Sequence, residues 1–300
     1  MLAISTAWNS TTRANIQEML LEIKEVGFNA IEIGYNFSSE RLKELISLIS
    51  AMDIRVASVH NFCPLPSECA LNRFPTDCYR LSSTDETERR KAVEYTKRTI
   101  DTARRVSCGF VVMHAGTVEL NSDYAKTLIR LYNEGKRGSP EYLQIKQEFL
   151  AARRAKREPY LKSVVASLKE VLAYAGSTGV KIGLETRYYP QEIPNIEETE
   201  YLLNLFKDKG LVYWHDIGHA EVNERLGIAA HNDYLKKFAE YLQGIHFHDL
   251  RGIDDHLAPF VGDFDFSKIA PYIQNNLIKV IEAHPPATRR QIKEAARRLQ

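Results

Sequence analysis

The chain has 300 residues, 44% of them hydrophobic, enough to bury one large core without splitting into smaller domains. Lys+Arg 40 against Asp+Glu 39 leave a formal net charge of +1, which excludes both the overall basic field of a nucleic-acid-coating protein and the acidic bias of a solvating tail. No uncharged run approaches the ~20 residues needed to cross a bilayer, and Met1-Leu-Ala-Ile-Ser-Thr-Ala-Trp8 places no basic segment ahead of an apolar one, so the expectation is a cytoplasmic protein with no membrane partner.

In chain order, apolar and β-branched runs predict strands at Ala3–Ser5, Ala30–Ile33, Val56–His60, Phe110–His114, Lys181–Glu185, Leu211–Asp216, Gly244–His248 and Lys279–Glu282. Amphipathic segments lie between them, such as Ile16-x-x-Met19-Leu20-x-x-Ile23 and Leu42-x-x-Leu45-Ile46-x-x-Ile49. Strand and helix alternating eight times predicts an α/β fold, a single (β/α)8 TIM barrel over residues 1–300. A doubly wound sheet would carry a glycine-rich phosphate loop after its first strand, and none is present. The rhythm breaks once, between the fourth and fifth strands, where residues 121–162 form a predicted helical insertion with Gly135-Lys-Arg-Gly138-Ser-Pro140 as its internal turn. Arg153, Arg154, Lys156, Arg157 and Lys162 in its second half read as a solvated helix face, because Glu148 and Glu158 interrupt the charge. Cys63, Cys69, Cys78 and Cys108 contain no Cys-x-x-Cys pair and are expected as reduced thiols.

Polar residues collect at the carboxyl ends of these strands, where barrel enzymes keep their catalytic groups. His60 and His114 end the third and fourth, Glu185 and Asp216 the fifth and sixth, and Glu282 the eighth. Asp216-Ile-Gly-His219, His246-Phe-His248-Asp249 and Asp254-Asp255-His256 add further oxygen and imidazole groups. Carboxylates and imidazoles that follow apolar runs are costly to bury, and one divalent cation satisfies several together. By strand alternation His215 points away from Asp216 and packs behind the barrel, while His248 shares the parity of His246 and competes with it. His231 and His284 read as structural or exposed. Arg187 is a candidate to grip a substrate phosphate or carboxylate, with a salt bridge to Glu192 as the alternative.

The chain resembles the xylose-isomerase-like barrels, which include ketose 3-epimerases and endonuclease IV. The resemblance rests on Glu185 in Gly-Leu-Glu-Thr-Arg, Asp216 and His219 in Asp-x-x-His, His246 in His-x-x-Asp, and Glu282 in Val-Ile-Glu. In epimerase-like members it implies one divalent ion, manganese, magnesium or cobalt, bound by Glu185, Asp216, His246 and Glu282, with the two glutamates as catalytic residues exchanging a proton. In endonuclease-IV-like members it implies three zinc ions held with the further help of His60, His114, His219, Asp254 and His256.

A divalent ion on a carbonyl and neighbouring hydroxyl of a sugar acidifies the intervening C–H and stabilises an enediolate; return of the proton gives an epimer or an aldose–ketose isomer. The sequence therefore predicts a metal-dependent isomerase or epimerase acting on a carbohydrate or its phosphate. A multi-zinc phosphodiesterase acting on abasic DNA is the alternative, and a non-catalytic metal-binding barrel subunit the third reading. Nucleic acid ranks lower because the loops Gly34–Glu40 and Asn61–Cys69 lack basic residues until Arg41 and Arg73, and suit closure over a small molecule better. A homo-oligomer is possible through the outer helices and loops.

Overall fold

The computed structural model describes residues 1–13, 15–71, 75–120 and 122–299. Eight parallel strands, Leu2–Ser5, Ala30–Ile33, Arg55–His60, Phe110–Met113, Lys181–Glu185, Leu211–Asp216, Leu242–Phe247 and Ile278–Ile281, close into a barrel in which each pairs with its neighbours in sequence and the first pairs with the eighth. Helices α1 (Ile16–Glu25), α2 (Ser39–Ala51), α3 (Glu86–Arg105), α4 (Tyr124–Asn133), α5 (Pro140–Gly176), α6 (Ile196–Leu205), α7 (Ile217–Arg225), α8 (His231–Phe238) and α9 (Arg289–Leu299) surround it. This is the (β/α)8 architecture expected from the alternation of patterns. After the seventh strand, a hairpin of Asp249–Arg251 with Asp254–Leu257 and two single 3-10 turns stand where a helix would.

The strands are buried on both faces, as a parallel barrel requires. Inward-facing Ala3, Ala30, Ala57, Val112, Trp214, Ile278 and Val280 fill the lower barrel as a cluster of their own, and a larger apolar layer joins strands to helices. Trp214 sets the packing there. A Cβ on Gly244 would stand 2.4 Å from its ring, so the seventh strand needs glycine at that level. Above this apolar plug, the same inward parity carries Glu32, Glu185, Asp216, His246 and Glu282 into the mouth, and a register shift between Val56 and Ser58 in the third strand brings His60 there as well.

The insertion differs from expectation in one respect. Its helix does not stop near Lys162: α5 runs unbroken for 37 residues from Pro140, started by Ser139, whose hydroxyl accepts from the Tyr142 N–H. Its first half is the insertion and its second half the barrel's own fourth helix, because no glycine separates them. Asn121, where the insertion was expected to begin, and Arg73 lie outside the described residues. Arg153 corrects the reading of a solvated basic face. It is buried and forks onto Glu198 at 2.8 and 2.6 Å, with a further bond to the Glu192 carbonyl, so it ties α5 to the start of α6; Arg154 and Lys156 remain exposed.

The cysteine reading is also corrected. Cys69 and Cys78 form a disulfide with Cα atoms 5.5 Å apart, because the loop after the third strand folds back on itself, while Cys63 and Cys108 are buried thiols. The expectation of a reducing compartment loses that support. Among the described residues, no helix is long and apolar enough to cross a membrane.

The two ends of the chain meet at Glu22 on α1, whose carboxylate accepts from Asn9, Arg13 and Arg289, at 2.6 Å for the last. The Arg13 hydrogen bond outweighs the opposing effect of burial and, with Asn9 and Arg289, holds Glu22 down at about 2 instead of 4.5. A depressed carboxylate stabilises the fold above its unfolded value and loses that contribution as pH falls through the folded one. Glu22→Gln is therefore expected to cost about 1 kcal/mol at neutral pH, discounted because both arginines are half exposed. In chemical denaturation, the gap to the unsubstituted protein should shrink as pH falls from 4.5 to about 2.

Candidate metal centre at the barrel mouth

Glu185, Asp216 and His246 at the ends of the fifth, sixth and seventh strands, and Glu282 just past the eighth, are all buried, and each offers a ligand atom within 4.8 Å of the others. His246 stands at the centre. Its Nε2 lies 3.0 Å from Glu32 Oε2, a carboxylate that also accepts from the Ser58 hydroxyl, so Nε2 carries the proton and donates. Its other nitrogen, Nδ1, then faces three carboxylates: Glu282 at 2.8 Å, Glu185 at 3.1 Å and Asp216 at 3.7 Å. A bare imidazole lone pair aimed at three anions is repulsive, so this arrangement calls for a cation among the four groups. Three carboxylates and one imidazole are a donor set that suits manganese, magnesium, cobalt or zinc.

Without a metal, His246 supplies the positive charge itself. Burial pushes its pKa down, but Glu282, Glu32 and Glu185 outweigh this and hold it well above its ordinary value. The carboxylates respond in kind. Burial raises Glu282 and Glu185, yet His246 brings Glu282 to about 2 and, with His114, holds Glu185 well below the usual range. Asp216 is likewise lowered against burial, by His219 and His248.

A ring of imidazoles surrounds this core. His60 donates from Nδ1 to the Asn61 carbonyl and turns Nε2 to Glu185 Oε2 at 3.2 Å, and His114 Nε2 reaches the same oxygen at 3.1 Å. His219 donates from Nδ1 to the Thr186 carbonyl, leaving Nε2 facing Asp255 at 3.6 Å. Beside it, His256 joins Asp216 and His219 in a second group of mutually close ligand atoms. Asp254, expected with them, is exposed; its neighbour Asp255 turns inward and pairs with His256 at 2.9 Å, both reaching the site because the backbone at His256 is left-handed and breaks the alternation of the hairpin.

The competition between His246 and His248 has a geometric answer. The His256 backbone N–H donates to His248 Nδ1, so His248 Nε2 carries the proton and donates to both Asp216 oxygens at 3.0 Å, leaving no nitrogen for a metal. A Cβ on Gly218 would lie 2.1 Å from the His248 ring, which accounts for the glycine inside Asp216-Ile-Gly-His219. Asp249 is structural, accepting from the backbone N–H groups of Leu250, Gly262 and Phe264. Arg187 is buried and spends Nη2 on Glu192 at 2.6 Å and Asp77 at 3.3 Å, while its Nε and Nη1 have no hydrogen-bond partner among the described residues. His284 stacks on His256 with ring centres 4.0 Å apart.

Sequence reading missed Glu32 and Asp77, and within Asp254-Asp255-His256 it took Asp254 where Asp255 stands. Glu32 carried a usable signal, as the one charge in the fully buried strand Ala30-Ile-Glu-Ile33; Asp77, 3.4 Å from His114, sits in a loop with no periodicity to read.

Behind the barrel, His215 is fully buried in a hydrogen-bond chain of fixed polarity. Glu221 can only accept, so His231 donates to it from Nδ1 at 3.2 Å; His215 Nε2 donates to His231 at 3.1 Å, Tyr213 to His215 at 2.8 Å, and Thr186 to Tyr213 at 2.6 Å. The chain ends one residue from Glu185, at the Thr186 hydroxyl that accepts from the Asp216 N–H. His231 is therefore structural, as expected.

The family model described as a xylose isomerase-like TIM barrel matches residues 20–300. A solved D-tagatose 3-epimerase-like protein is 20% identical over 99% of this chain and 95% of its own, with a TM-score of 0.65. The 3-keto-D-glucoside 4-epimerase YcjR from E. coli is 15% identical, covering 99% and 98%, with a TM-score of 0.66, and IolI protein with a bound zinc atom is 16% identical, covering 99% and 95%, at 0.66. At these identities the likeness is one of fold. No curated protein matches by sequence. By the family match across nearly its whole length, the chain belongs to the xylose isomerase-like TIM barrels.

Proposed function

We propose that the protein is a divalent-metal-dependent isomerase or epimerase of a sugar or sugar phosphate. The observation that carries the reading is His246 Nδ1 facing three carboxylates at the open end of the barrel. The named activities of the epimerases that share the fold lend it support.

Glu185, Asp216, His246 and Glu282 would hold the ion. When bound, it would supply Lewis acidity toward a carbonyl oxygen and the hydroxyl beside it. Glu185 and Glu282 come from strands separated by two others, which supports a role in which their carboxylates would flank the reacting carbon, one taking the proton and the other returning it. Glu32 orients His246, and Asp77 stands 3.4 Å from His114 Nδ1 as a counter-charge. Arg187, whose Nε and Nη1 are buried without hydrogen-bond partners among the described residues, is assigned to a substrate oxygen.

A second reading draws on the further close groups, His60–His114–Glu185 and Asp216–His219–His256, which suit additional zinc ions and phosphodiester hydrolysis of abasic DNA. Against it, the charges around the mouth are already paired: Arg80 with Glu88, Arg130 with Glu134, and Lys126 with Asp123. A duplex would find few free cations there.

Turnover of D-fructose and D-tagatose by the manganese-loaded protein, followed by chromatography, tests the proposal. Glu185→Gln and Glu282→Gln are each expected to lower kcat by about a hundredfold or more, with melting temperature preserved. Full activity in either variant would contradict the proton-transfer role. Tyr213→Phe should strand the buried Thr186 hydroxyl and His215 Nδ1, lowering stability by about 1–3 kcal/mol and weakening manganese binding measured by calorimetry.

A further inference from the structure

A cleft of about 1150 Å³ opens beside the metal centre, roofed by α4 and floored by the loops after the third, fifth and seventh strands. It exceeds the ~300–1,000 Å³ typical of sites for one small molecule, so a single sugar ring would leave much of it empty. Its inner wall is contiguous with the candidate site: Asp77 reaches His114, and the Tyr188 ring meets His219 edge-on at 5.8 Å. Its outer wall is one face of α4, where Lys126, Ile129, Arg130 and Asn133 fall at helical spacing, while Leu128 and Leu131 are buried on the other side.

The chemistry of this cleft narrows its occupant. Tyr188 is fixed by its hydroxyl on the Ile253 carbonyl at 2.7 Å and lies against Tyr189 with ring centres 4.5 Å apart, a firm aromatic wall. Around it stand planar polar groups, among them the Gln191 side-chain oxygen, buried without a hydrogen-bond partner among the described residues. Each basic side chain is matched by a carboxylate: Arg80 pairs with Glu88 and Glu119, Lys126 with Asp123, Arg130 with Glu134, while Arg187 behind the wall takes Asp77 and Glu192, and Asp254 adds a further carboxylate. A phosphate or a nucleic acid would need uncompensated cations, and an apolar ligand would leave these dipoles unpaired. Neutral polyhydroxylated rings satisfy both demands, with an apolar face for the tyrosines and hydroxyls for the amide and ion-paired groups.

We infer that the cleft under α4 binds a second sugar ring, so that the substrate is a glycosylated sugar whose reacting ring sits at the metal centre and whose remaining ring lies between α4 and Tyr188. The reacting end rests on the proposed sugar chemistry; the cleft itself does not.

Two readouts separate these claims. Calorimetry with maltose, cellobiose and sucrose tests the cleft alone. Saturable binding of at least one, weakened about tenfold by Asn133→Trp, is expected, since loss of one well-made contact costs that much. Turnover of maltulose, a ketose bearing a second glucosyl ring, against D-fructose then tests the coupling. The kcat/KM for maltulose should be about tenfold higher, and Asn133→Trp should remove that advantage while leaving the D-fructose value unchanged, which also shows that the variant is folded. Lys126→Trp, at the other end of the same face and exposed, should act likewise. Absence of saturable binding by all three disaccharides, or equal effects of both variants on maltulose and D-fructose, would overturn the inference. Saturable disaccharide binding without turnover of either ketose would leave the cleft standing and refute the sugar-epimerase reading.

Discussion

The contact on which the mouth of this barrel depends is that of His246 with the carboxylates on its two sides. Behind it, Glu32 fixes the ring and its proton; in front, Glu185, Asp216 and Glu282 crowd the other nitrogen. Three buried carboxylates within reach of one imidazole are tolerable only if positive charge is shared among them. The protein meets that demand with a proton when no metal is bound, and the same geometry offers a metal four ready ligands. Binding a cation must then expel the His246 proton, which couples metal affinity to pH in the direction of tighter binding at higher pH.

The rest of the fold can be understood as what holds this arrangement still. Trp214 and its glycine neighbours plug the barrel below the site, so the polar groups rest on a dry floor. Around the rim, backbone groups fix the imidazole rings: Asn61 sets His60, Thr186 sets His219 and the His256 N–H sets His248. From outside, the chain from Glu221 through His231, His215 and Tyr213 reaches Thr186, so the outer helices brace the fifth and sixth strands through hydrogen bonds as well as packing. The insertion adds a wall to the cleft beside the site and leaves the apolar floor of the barrel alone.

Much of this was legible in the chain. The barrel could be read because its strands are short apolar runs at regular spacing, and the meeting of Glu185, Asp216, His246 and Glu282 because a polar residue ending such a run has few places to go. Parity along a strand separated His215 from Asp216 correctly. What escaped had no period to reveal it. Parity left His248 level with His246, and only the His256 N–H on its Nδ1 excludes it from coordination. A shift of one residue in a hairpin exchanged Asp254 for Asp255, and Asp77 came from a loop. The Cys69–Cys78 bond and the buried Arg153–Glu198 pair depend on chain reversals and helix contacts that composition does not encode. Glu32 was the avoidable omission, since a charge within an apolar strand always requires a partner.

The most direct test is anomalous scattering at the manganese edge from crystals grown with manganese chloride. The account predicts one strong peak among Glu185, Asp216, His246 and Glu282, with none beside His60 and His114 or beside His219, Asp255 and His256. An empty centre at His246, or comparable peaks in all three places, would contradict it.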